Sequence, residues 1–407
     1  MLKRIVVLLL LSVLLFADVA EQLKKDIAYL SSEVCFGRGY MNKGLKRAEQ
    51  YIIKELRELD LEVKTQAVRM KMNVPVAKPY CVINGDTLRA GYDFIPHPHS
   101  GSVNTRFYAE DIDIYDADLL EQLKDSLELS SIAQVRRYLI KQASGEKDGR
   151  LYMFAQEDVL QSRQDKRFSR AALQVRSECV PDTMETLDYF HRTQYKRFRS
   201  NNVIARIEGG IEKDSVIMLT AHYDHMGALG DVYYPGANDN ASGVAVLLAL
   251  ARHYVENPPP YTLVFCFFTA EEQGLLGSFK YAYNPRYPLE NVATLVNLDM
   301  VGSGGKGFGM VNGTACPKEA DILRGIAEEH ALGELRIRDN NPNSDHYPFT
   351  QLDMNAFFLY SSGGEQPYHH PDDVAETLDW EVLEQTVLWV REFITRRALS
   401  AEQLITE

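Results

Sequence analysis

The chain has 407 residues, 45% hydrophobic and 25% charged, ordinary for a soluble globular protein of about two to three domain-sized units. These values exclude a disordered tail, a collagen-like fibre and a multi-pass membrane protein. Lys+Arg 44 against Asp+Glu 57 leaves a net charge of −13, which argues against nucleic acid and anionic lipid as nonspecific partners.

Met1–Ala17 opens with Lys3 and Arg4, runs apolar from Ile5 to Phe16 with only Ser12 intervening, and ends at Ala17. That run is shorter than the ~20 residues a membrane-spanning helix needs, and the layout is that of a secretory signal peptide. The expectation is an extracytoplasmic protein, periplasmic or secreted, with no stable membrane association after cleavage. Cys35, Cys81, Cys179, Cys266 and Cys316 are odd in number and lack metal-ligand spacing. An oxidising compartment permits disulfides, and Cys81 with Cys179 is the expected pair. Cys266 sits in an apolar run and reads as a buried thiol.

Residues 18–66 carry helical spacing in Leu45, Ala48, Tyr51, Ile52, Leu56 and Leu59. Residues 67–197 hold short alternating runs such as Tyr80–Ile83 and Phe107–Tyr115, broken by Pro, Gly and Asp, and a basic run at 163–170. They read as a β-rich insertion between the first helix and the first sheet strand, with no catalytic signature. From 198 to 407 strand and helix alternate. Strands are expected at Val216–Thr220, Tyr261–Phe268, Thr294–Leu298 and Ala356–Tyr360. Helices are expected at Ser242–Val255, Leu275–Tyr283, Lys318–His330 and Trp380–Leu399. Strands separated by helices pair in parallel, so the fold class is α/β, a doubly wound, mostly parallel sheet covered on both faces.

Ligands of open α/β sheets collect at the carboxyl ends of strands, and five such segments here carry metal-type residues. The first is Ala221-His222-Tyr-Asp224-His225, where a His can bind metal through one ring nitrogen and offer the other to a carboxylate. Next come Gly236-Ala-Asn-Asp239-Asn-Ala-Ser-Gly243, Phe268-Thr-Ala-Glu271-Glu272-Gln-Gly and Asn297-Leu-Asp299-Met-Val-Gly302. The last is Tyr368-His369-His370-Pro-Asp372-Asp373. Nitrogen and oxygen donors of this kind suit zinc, with cobalt or manganese able to substitute. A shared carboxylate would hold two ions ~3.5–4 Å apart, leaving another carboxylate as general base.

These five strings, in this order and spacing, resemble the di-zinc aminopeptidases of metallopeptidase family twenty-eight, strongly over 198–407 and weakly over 20–65. The resemblance implies the zinc-exopeptidase fold and two Zn2+ per chain. It also implies hydrolysis of N-terminal residues from peptides by a metal-bridging water. Carried over by motif, His222 and Asp299 bind one zinc, Glu272 and His369 the other, and Asp239 bridges. Glu271 matches the general base, Asp224 the carboxylate that orients His222, and Tyr368 a residue that helps polarise the scissile carbonyl. By position alone, 67–197 stands where relatives carry a protease-associated domain.

Other readings stay open within the same fold: a one-zinc glutaminyl cyclase, or a carboxypeptidase acting on acidic peptides. A non-catalytic receptor-like module is the reading from another class. Presence of all five ligands and the base argues against it. His346 in Ser344-Asp-His-Tyr-Pro-Phe349 reads as structural, and His97 and His99 as a spaced pair able to bind metal but more often structural. Met70 and Met72 read as sheet packing. Substrate side-chain preference and oligomeric state are not written in the sequence.

Overall fold

The computed structural model describes residues 19–142, 149–162, 170–364 and 367–405. The expected signal segment Met1–Ala17 and most of the basic run 163–170 lie outside them.

Tyr261–Phe268 is apolar at every position, and such a strand needs cover on both faces. Its alternate side chains divide accordingly. Leu263, Phe265 and Phe267 join one apolar cluster, and Val264, Cys266 and Phe268 join another. It is β4 of an eight-stranded sheet made with β1 (Val63–Pro75), β2 (Thr193–Ile207), β3 (Glu212–His222), β5 (Val292–Leu298), β6 (Gly307–Val311), β7 (Glu334–Arg338) and β8 (Ala356–Ser361). The strand order is β1-β2-β4-β3-β5-β8-β6-β7. The centre, β4 to β3 to β5 to β8, is parallel. On one side β2 runs antiparallel to β4, and β1 to β2. On the other, β6 is antiparallel to β8 and parallel to β7. The sheet is therefore mixed around a parallel core.

One face is covered by α1 (residues 19–30), α2 (Gly44–Glu58), α3 (Gly243–Glu256), α5 (Pro317–His330) and α6 (Trp380–Ile405). The other carries α4 (Leu276–Ala282), whose Tyr281 packs with Phe349 on Phe268. In α2 the helically spaced Leu45, Ala48, Tyr51, Ile52 and Leu56 are all buried. No helix among the described residues is long and apolar enough to cross a membrane.

The insertion does not lie where the sequence placed it. The boundaries expected at 67 and 197 fall inside β1 and β2, which pair with each other along 13 residues of β1. The inserted segment therefore follows the first sheet strand and springs from between two strands of the large sheet. β1 was missed because its solvent face is Arg69 and Lys71 while Met70 and Met72 are buried. Between β1 and β2 stand two four-stranded sheets, with Cys81, Ile83, Leu187 and Tyr189 of one packing on Phe94, Met153, Leu173 and Val175 of the other. Helices Ala117–Ser126 and Ile132–Gln142 cover the outer side through Leu120, Val135 and Ile140.

The expected Cys81–Cys179 disulfide is not formed; all five cysteines are free thiols. Cys81 is wholly buried in a strand, and Cys179 packs against the same cluster from a half-exposed turn. Burial pushes the Cys81 thiol up to about 12.

Candidate metal centre

The three parallel strands β3, β4 and β5 end at one level, with His222 opposite Phe268 and Thr220 opposite Asn297. Residues just past those ends share a single space. Three non-glycine residues there take left-handed backbone angles: Ala270 (φ 60°), Met300 (φ 55°) and His369 (φ 51°). Each lies within one residue of, or is itself, an expected site residue, and such strained positions concentrate at functional sites.

Asp239 sits on the loop before α3, and that loop is clamped from two sides. Arg38, fully buried, donates to the main-chain carbonyls of Pro235 (2.7 Å), Gly236 (2.7 Å) and Asp239 (2.9 Å), and to those of Tyr223 (3.1 Å) and Leu30 (3.0 Å). Asp373 accepts the N–H groups of Asn238 (2.8 Å) and Asp239 (3.0 Å). Gly236 has φ 62°, and a Cβ there would stand 2.3 Å from the Asp239 carbonyl oxygen, so only glycine fits. Arg38→Ala would strand these carbonyls, and we expect a loss of about 3 kcal/mol or more, read as a lower urea midpoint.

The five expected ligands and the expected base converge. His222 Nε2 lies 3.3 Å from Asp239 Oδ1 and 3.3 Å from Asp299 Oδ1. His369 Nε2 lies 3.2 Å from Asp239 Oδ2 and 3.2 Å from Glu272 Oε2. Asp239 thus faces both histidines, one with each oxygen. Two groups have donor atoms mutually within 4.8 Å: His222, Glu271 and Asp299, and His225, Asp239, Glu272 and His369.

The supports differ in part from expectation. His222 Nδ1 meets the Asp224 main-chain carbonyl at 3.1 Å, while the Asp224 carboxylate stands off at 3.9 Å. That carboxylate instead accepts the Glu271 N–H (3.1 Å) and the Tyr40 hydroxyl (3.1 Å). Tyr368 is 44% exposed and stacks on the His369 ring at 3.7 Å. His370 turns away, edge-on to Tyr92. His346 is buried against Phe358 and belongs to neither donor group, and neither do His97 and His99.

Sequence reasoning passed over several residues that the structure places here. His225 Nδ1 meets Glu272 Oε1 at 2.9 Å. The Ser344 hydroxyl donates to Asp299 Oδ2 at 2.7 Å and accepts from Asn297. From the insertion, Gln161 donates its N–H to the His369 carbonyl (3.3 Å), and its own carbonyl meets His369 Nδ1 at 2.9 Å. That bond places the proton on Nδ1 and leaves Nε2 to face the carboxylates. His225 stood inside a quoted motif; Arg38 and Gln161 had no local signal.

Burial pushes the Glu271 carboxyl well above the ordinary range; His222 opposes this, and Glu272, Asp345 and Asp299 add to it. Asp345, buried behind Ser278, is pushed up to about 7, chiefly by burial. Glu272 goes the other way. Burial acts against it, but His369 and His225 hold it down at about 2. For His369 burial is likewise overcome, and Glu272 and Asp239 raise it to about 10.

The donor set fits zinc. Asp239, Glu271, Glu272 and Asp299 crowd together, and no Lys or Arg among the described residues forms an ion pair with any of them. Arg38 directs its hydrogen bonds to main-chain carbonyls instead. Buried carboxylates need a compensating charge, and imidazole with carboxylate is a zinc donor set. Above them opens a cavity of about 320 Å³ lined by Met300, Phe358, Tyr360 and Tyr368, with Arg338 also on its wall.

Residues 202–394 match the model of Peptidase family M28. A probable zinc metalloprotease of Pyrenophora teres f. teres is 42% identical over 106 residues, 25% of this chain and 22% of that protein. The chain thus spans about a quarter of the length of such curated relatives. Aminopeptidase YwaD of Bacillus subtilis is 25% identical over 364 residues, 84% of this chain and 76% of that one. The solved zinc aminopeptidase of Bacillus subtilis shares the fold at TM-score 0.66 and 20% identity, covering 93% of this chain and 95% of its own. Over residues 202–394 the chain matches peptidase family M28, and the fold and the converging donor groups agree with that match.

Proposed function

We propose that the chain is an exported zinc-dependent metallopeptidase, an aminopeptidase that removes N-terminal residues from peptides with two zinc ions per chain. The observation that carries this reading is Asp239, which faces His222 with one oxygen and His369 with the other. His222 and Asp299 would hold one ion, His369 and Glu272 the other, with Asp239 common to both.

Bound zinc supplies Lewis-acid polarisation and lowers the pKa of water toward neutrality. Glu271, held by its N–H on Asp224, takes the proton of the attacking water and delivers it to the leaving amine. The Tyr368 hydroxyl donates to the scissile carbonyl oxygen. A substrate ammonium is drawn to Glu271 and Asp299 in the acidic cavity, which favours a free N-terminus over a free C-terminus at the reacting end.

The test is hydrolysis of dipeptides and aminoacyl amides, free and N-acetylated, by the zinc-loaded protein. Cleavage of the free-amine set alone is expected; cleavage of neither set, or of both equally, ends the aminopeptidase reading. Metal analysis should give two zinc per chain. One per chain with conversion of N-terminal glutamine would favour the glutaminyl cyclase reading instead.

A further inference from the structure

A second cavity, of about 410 Å³, adjoins the metal cavity and shares Tyr368 and His369 with it. Its remaining wall comes from the insertion and includes His97, His99, Arg136 and Arg137, with no Asp or Glu in the lining among the described residues. In a chain of net charge −13, such a basic recess is notable by its sign. Neither arginine makes an ion pair among the described residues. Arg136 donates from Nη2 to Gln156 Oε1 (2.5 Å), lies over the Phe154 ring at 5.6 Å, and leaves Nε without a partner among the described residues. Burial lowers its pKa with no carboxylate opposing the shift. A guanidinium withdrawn from water without a counter-ion is costly, and its planar fork matches a carboxylate.

The recess is also tied to the chemistry. Gln156 donates to Gln174, and Gln174 donates to the Leu160 carbonyl. The next residue, Gln161, is the one that pairs with His369. Arg136 is therefore fixed through neutral amides to the segment that orients an expected zinc ligand. The two cavities are of opposite character. Asp239, Glu271 and Asp299 line one, beside Arg338, and Arg136 and Arg137 the other, with Tyr368 and His369 between.

The geometry points to the basic cavity as a carboxylate subsite on the leaving-group side of the scissile bond. The ammonium of a short peptide would lie in the acidic cavity and a carboxylate of its leaving portion in the basic one. This assignment rests on the aminopeptidase reading. It makes the substrate class short peptides that carry a carboxylate just beyond the cut, from either the free C-terminus or an acidic side chain.

The test compares kcat/KM for Leu-Ala, Leu-Ala-amide and Leu-Glu-amide on the zinc-loaded full chain. Preference for Leu-Ala over its amide by about tenfold or more, the scale of one charge-assisted hydrogen bond, identifies the terminal carboxylate. The same preference for Leu-Glu-amide over Leu-Ala-amide identifies a side chain. Arg136→Gln with Arg137→Gln should bring the operative ratio close to one. Arg137→Gln alone changes an exposed side chain and should lower the ratio in part, guarding against misfolding of the double variant. Equal rates on all three substrates overturn the subsite while the aminopeptidase reading stands. A ratio unchanged in the variants does the same. No cleavage of any of them removes both.

Discussion

Glu271→Gln should lower kcat about 10²–10⁴-fold while two zinc ions remain bound. The amide keeps the shape and the main-chain N–H bond to Asp224, so metal content and folding should change little. What is lost is a proton acceptor. The side chain is half-buried beside Glu272, Asp345 and Asp299, and once cations neutralise its neighbours a carboxylate there can accept and release a proton within one turnover. Steady-state kinetics beside metal analysis of the same sample separates the outcomes. Wild-type turnover in Glu271→Gln would remove Glu271 as the base, and loss of zinc would reassign it as a ligand.

Asp239→Asn should be as damaging by another route. Asp239 sets one oxygen against each histidine, and the neutral amide offers one oxygen and an NH2 that cannot ligate. We expect zinc content to fall from two to one or fewer per chain, with activity down at least about a hundredfold. Asp373→Asn is the milder companion. It retains one oxygen for the two N–H groups it now serves, so metal affinity should weaken roughly 10–100-fold without abolishing the site. If Asp239→Asn keeps both ions, the shared-carboxylate assignment is wrong.

Much of this centre was legible in the chain because its parts are local. A buried strand followed by His222, or by Glu271 and Glu272, announces its own end, and the run Tyr261–Phe268 left no doubt of a central strand. The supports were not legible, because each joins segments far apart. Nothing beside Arg38 signals that its guanidinium reaches Pro235 through Asp239. Nothing near Gln161 says that its main chain, rather than any side chain, meets His369. Strands β6 and β7 escaped notice for a simpler reason. Gly-Phe-Gly-Met-Val and Glu-Leu-Arg-Ile-Arg are short, and β7 keeps Glu334, Arg336 and Arg338 exposed. The same exposure hid β1, so the insertion was placed before the sheet instead of within it.

The Arg38 clamp also bears on how the chain is made. Its guanidinium is synthesised well before its partners Gly236 and Asp239, which follow 198 and 201 residues later, and Asp373 arrives another 134 residues after Asp239. Closing such long loops is slow, since their entropy must be met before the contacts form. Until Pro235, Gly236 and Asp239 emerge, Arg38 has the Leu30 carbonyl but not those of the loop, and the loop bearing Asp239 sets only once Asp373 has followed. The competence to hold metal then comes at the end of folding. A chain cut before Asp373 should therefore hold metal poorly.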